Sequence, residues 1–76
     1  MKNHTEYYRQ LGINIAYHRK RAGMSQLYLA EKLDISRTHM SRIESPGMPT
    51  AFTTTVLFNI ADALGVKLSA LFDFKE

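Results

Sequence analysis

The chain has 76 residues, no cysteine, a hydrophobic share of 45% and a net charge of +3, so it can hold one small core but not a deep catalytic cleft, and it has no disulfide or thiolate metal site. The charge is polarised: residues 1–43 carry eight basic side chains against three acidic ones, +5, whereas residues 44–76 carry two against four, −2. A basic half suits a polyanion and leaves the other half for a protein partner.

In chain order, Met1 to Asn3 read as frayed, and Thr5 is predicted to cap a first helix from about Glu6 to Ala22. Tyr8, Leu11, Ile15 and Ala22 share one stripe of that helix, and Arg19 lies on the same side. A guanidinium directed at the core needs an anion. Gly23 suits a left-handed helix end, and Ser25 caps a second helix with Met24 and Leu29 as its hydrophobic staple. Only Leu33, Asp34 and Ile35 then intervene before Ser36, which caps a third helix with Ile35 and Met40 as staple. Two helix starts of one design around so short a turn predict a helix-turn-helix. Asp34 stands at the corner, where its short polar side chain tolerates the left-handed conformation.

The third helix, Arg37 to Glu44, turns Met40 and Ile43 inward and places Glu44 beside them, the odd acid on an apolar side as Arg19 is the odd base. Thr38, Ser41, Arg42 and Ser45 point outward, and Arg37 projects from the first turn. That face is short, polar and basic, as a major groove requires, so Arg37, Thr38 and Arg42 are expected to contact bases, with Ser36, His39 and Ser41 nearer the backbone. Pro46 stops the helix, and SPGMPTAFT forms a loop. Thr53 to Thr55 offer N-caps for a fourth helix ending at Gly65, with Leu57, Phe58, Ile60, Ala61 and Leu64 expected in the core. A last short helix, about Leu68 to Phe72, adds Leu71 to the core, while Phe72 and Phe74 either fold back or face another subunit.

The pattern GxxIxxxRxxxGxSQxxLAxxLxISxxxxSRIE, beginning at Gly12, and its continuation IADALGV from Ile60 to Val66 resemble the Xre/Cro family of bacterial and phage repressors. The resemblance covers about Leu11 to Phe72. It implies an all-α, five-helix bundle of the lambda-repressor-like type with a central helix-turn-helix, acting on double-stranded DNA as a homodimer and a transcriptional repressor. It further implies a semi-buried salt bridge between Arg19 and Glu44, a phosphate contact by Gln26 at the start of the second helix, and backbone contacts by Ser45, Gly47 and Thr50 in the following loop. The C-terminal end, with Phe72 and Phe74, is expected to form the two-fold contact.

One domain is expected over residues 1–76, with its core at about 6–73. No catalytic residue, cofactor or metal site is expected: His4, His18 and His39 lack metal-ligand spacing, and no Gly-rich phosphate loop follows a strand. No apolar run approaches the roughly 20 residues of a membrane span, and no signal-peptide pattern opens the chain, which predicts a soluble cytoplasmic protein. The alternative to a DNA-binding regulator is an antitoxin or adaptor that holds another protein, such as a toxin. An apolar groove shared by Leu27, Tyr28, Phe72 and Phe74 would favour that alternative.

Overall fold

Side-chain hydroxyls start three of the five helices. Ser25, Ser36 and Thr53 sit in extended backbone, and each accepts the N–H three residues on, from Tyr28 at 3.0 Å, His39 at 2.9 Å and Val56 at 3.2 Å. A computed structural model describes residues 4–45, 47 and 52–74, with helices α1 (Thr5–Arg21), α2 (Gln26–Leu33), α3 (Arg37–Glu44), α4 (Thr54–Leu64) and α5 (Leu68–Leu71). No strand occurs among the described residues, and the chain is an all-α five-helix bundle. At α1 the cap expected of Thr5 is not found. His4 holds the cap position without a side-chain hydrogen bond, and Thr5 is already helical.

Three helices end in one way. Gly23, Asp34 and Gly65 are left-handed, with φ of 76°, 56° and 67°. Each donates its N–H to the carbonyl three residues back, and the residue after it donates to the carbonyl five back: Met24 to Arg19 at 3.1 Å, Ile35 to Ala30 at 3.0 Å and Val66 to Ala61 at 3.1 Å. Met24, Ile35 and Val66 then pack on the core, so each exit is tied down by backbone and side chain together. Asp34 holds the α2–α3 corner in a conformation that glycine would adopt with less strain.

The core comprises Leu11 and Ile15 of α1, Leu29 and Ala30 of α2, Met40 and Ile43 of α3, Leu57, Ile60, Ala61 and Leu64 of α4, and Leu71 of α5. Tyr8, from the same stripe of α1, is partly buried and packs against this core, whereas Phe58 and Ala22 lie outside it. Phe58 is 49% exposed, because Leu57, Ile60, Ala61 and Leu64 form the i, i+3, i+4, i+7 stripe and the next residue along faces away. Ala22 is exposed because α1 ends at Arg21 and the chain turns there. The four-residue α5 is too short to persist alone. It is held from α1 by Asn14, whose Nδ2 donates to the carbonyls of Leu71 at 2.9 Å and Asp73 at 3.2 Å.

Gly12 sets how closely α1 approaches α3. It is buried, and a methyl group there would overlap the backbone carbonyl oxygen of Ile43 and press on Glu44 Cα at 3.3 Å. Neither atom belongs to a side chain that could rotate away. Gly12→Ala is therefore expected to destabilise the fold by about 1–3 kcal/mol despite alanine's better helix propensity, as a lower midpoint in urea unfolding with an unchanged slope. An unchanged or raised midpoint would show that the two helices can separate freely.

Candidate nucleic-acid interface

Three side chains from three helices meet beneath the outward face of α3. Arg19 Nε donates to Glu44 Oε2 at 2.7 Å and its Nη2 to Glu44 Oε1 at 3.0 Å, a two-bond fork. The remaining terminal nitrogen, Nη1, donates to the Met24 carbonyl at 2.7 Å. Gln26 Nε2 completes the cluster with a 2.9 Å bond to Glu44 Oε1. Arg19 and Glu44 are only 7% and 6% exposed, so both charges have left water and are compensated by each other. Their bonds join the end of α1, the start of α2 and the end of α3.

This arrangement changes the expected role of Gln26. Its amide points back at Glu44, so one of its two N–H donors is spent inside the protein instead of being held out for a phosphate. The backbone at the start of α2 still presents the unpaired N–H groups of a first helical turn. Tyr28 stands where a capping acid would sit, exposed, with Lys32 Nζ 5.4 Å from its ring centroid.

α3 separates its residues as a helix with one apolar side must. Met40, Ile43 and Glu44 are buried, Arg37, Thr38, Ser41 and Arg42 are exposed, and His39 and Ser45 lie between. Because the only acid of α3 is inside and paired, its outer face carries two guanidinium groups and no carboxylate. Ser36 is exposed, with its oxygen used in the cap and its hydroxyl hydrogen still able to donate outward. Gly47 is exposed, and Thr50 lies outside the described residues.

Gln26, Ser41 and Ser45, far apart in sequence, line one cleft of about 580 Å³ between α1 and α3, floored by Arg19 and Glu44. The opposite wall is α1, through Ile13, Ala16, Tyr17 and Lys20. Beside the core stripe of α1, positions 13, 16, 17 and 20 form a second stripe with the same i, i+3, i+4, i+7 spacing, a signal already present in the sequence. At the C-terminal end, Phe74 is half-buried and folds back, its ring stacked on Tyr7 with centroids 6.1 Å apart. Phe72 is 46% exposed. The hollow that Phe72 lines, with Tyr7, Tyr8, Leu11, Phe52 and Leu57, includes neither Leu27 nor Tyr28, which are themselves exposed.

Among the described residues no cluster of His, Cys, Asp and Glu could hold a metal ion, and no helix is long and apolar enough to cross a membrane. A family model described as Helix-turn-helix, of the Cro/C1 type, matches residues 15–71, from the middle of α1 to the end of α5. No curated protein matches the chain.

Removing one partner from a buried ion pair strands the other, a loss of about 3–5 kcal/mol. Arg19→Ala and Glu44→Ala are each expected to cost that much in urea unfolding, with the double variant well short of the sum because neither charge is then left alone. Additive losses would mean that the two groups contribute independently.

Proposed function

The chain belongs to the Cro/C1-type helix-turn-helix family of DNA-binding regulators, and from that premise we propose that it binds operator-like duplex sites as a homodimer and represses transcription by occupying DNA that polymerase needs. The observation that carries the reading is the division of α3, with Arg37, Thr38, Ser41 and Arg42 exposed and its single acid buried against Arg19. An eight-residue helix is about 12 Å long, a fit for the major groove. Arg37 and Arg42 can each pair in two bonds with guanine O6 and N7, and Thr38 can bond a base edge or set its methyl against thymine. Ser36, His39, Ser41, Ser45, Gly47 and Thr50 serve the sugar–phosphate backbone, which fixes register without reading sequence. Gln26 joins them through the backbone N–H groups at the start of α2, its side chain holding Glu44.

Dimerisation follows from the small reach of one helix, which contacts too few base pairs to select a site. Exposed Phe72 at the end of α5 and the aromatic hollow beside it supply the apolar surface for a two-fold contact, with Phe74 supporting that surface from within its own chain. Two recognition helices would then meet half-sites about 34 Å apart. The antitoxin or adaptor alternative would draw on a groove joining Leu27 and Tyr28 to Phe72, whereas the hollow beside Phe72 is lined without those two residues.

Selection of bound duplexes from a random pool tests the reading. Arg42→Ala is expected to weaken binding to the selected site by about 1–3 kcal/mol and to relax discrimination at one base pair. Arg37→Ala is expected to act likewise at a neighbouring pair. Uniform loss on the selected site, a one-base variant and random duplex would remove both residues from base reading. Sedimentation of the protein–operator complex should give two chains per site; one chain per selected site would overturn the dimer.

A further inference from the structure

The cleft between α1 and α3 gathers polar groups from the start of α2 and the outer side of α3, yet the cation it offers belongs to α1. Four basic residues, His18, Arg19, Lys20 and Arg21, close that helix. Arg19 is buried, and three of its N–H donors go to Glu44 and the Met24 carbonyl, so its charge is met by the Glu44 carboxylate. Tyr17 and Ile13 form a ridge with the cleft on one side and a second hollow on the other, and His18 and Arg21 line the second hollow. Arg21 Nη1 donates to the Tyr17 hydroxyl at 3.3 Å. Lys20 is exposed, lines the cleft, and has no ion-pair partner among the described residues.

We propose that this cleft seats a phosphodiester group of the DNA backbone bordering the groove entered by α3, with Lys20 as its cation and Ser41 and Ser45 on the facing wall. The inference rests on the DNA-binding reading above. Three features favour a phosphate. The charge of Glu44 at the floor is already met by Arg19 and Gln26, so the single positive charge of Lys20 is uncancelled. Ser41 belongs to the same exposed face as Arg42, so an anion held there lies beside the base-reading surface. An ammonium on a flexible stem also needs no two-bond geometry to hold one phosphate oxygen. The contact adds no sequence information; it sets how α3 lies in the groove from the side of α1.

The experiment measures binding of wild type, Lys20→Ala, Lys20→Arg and Lys67→Ala to the selected duplex and to random duplex across a salt series. Lys67 opens α5, which packs on α1 and α4, and its loss removes an equal charge elsewhere. Lys20→Ala is expected to weaken both duplexes by the same factor and to lower the salt slope by about 0.9, so that its deficit shrinks about 3.5-fold between about 50 and about 200 mM salt. Lys20→Arg is expected to restore the slope and Lys67→Ala to leave it unchanged. A Lys20→Ala slope equal to that of wild type, or an equal fall in Lys67→Ala, overturns the phosphate seat while leaving DNA binding intact. Absence of wild-type binding to any duplex overturns the DNA-binding reading, and this inference with it.

Discussion

The fork between Arg19 and Glu44 is the constraint on which the surface of this protein depends. Two charges at 6–7% exposure are costly to remove from water, and an apolar pair of similar volume would often stabilise a core as well or better. What the ion pair adds is direction. Guanidinium and carboxylate are planar and meet in two bonds, so the end of α3 has one orientation relative to the end of α1. The third guanidinium bond, to the Met24 carbonyl, and the Gln26 bond to the same carboxylate extend that constraint to the start of α2. Both helices of the helix-turn-helix are thus referred to α1 through one buried acid.

Gly12 and the repeated helix endings make this geometry attainable. An absent side chain lets α1 approach the backbone of α3 where Glu44 must be reached. The left-handed exits at Gly23 and Asp34 turn the chain sharply and place Met24 and Ile35 against the core. Local preference and tertiary packing agree at each of these positions, which is how a chain of this size reaches one arrangement. The exceptions are few. His4 gives α1 no side-chain cap, and α5 relies on Asn14 from another helix.

The same neutralisation shapes the electrostatics of the outer face. Glu44 is the only acid of α3, and placing it inside leaves Arg37 and Arg42 without a nearby exposed carboxylate on that helix. A surface of this kind suits a polyanion by its local charge distribution and not by the net charge of +3, which is modest. Stability and interface are therefore linked, because the residue that orders the helix ends also clears its outer side.

The helix limits within a residue or two, the two serine caps, the left-handed corner at Asp34 and the inward direction of Met40, Ile43 and Glu44 are all legible in the residue order. These depend on contacts within a few residues, where spacing at 100° per residue and cap chemistry suffice. Residue type alone misleads at Phe58, whose apolar ring faces away from the core stripe of α4, and at Thr5, where the cap position falls on His4. Packing between distant segments is what makes Gln26 donate to Glu44, 18 residues away, returns Phe74 to α1, and brings Gln26, Ser41, Ser45 and Lys20 to one cleft. The aim of a flexible polar side chain depends on which partner the packing brings within about 3 Å, and no periodicity along the chain encodes that distance.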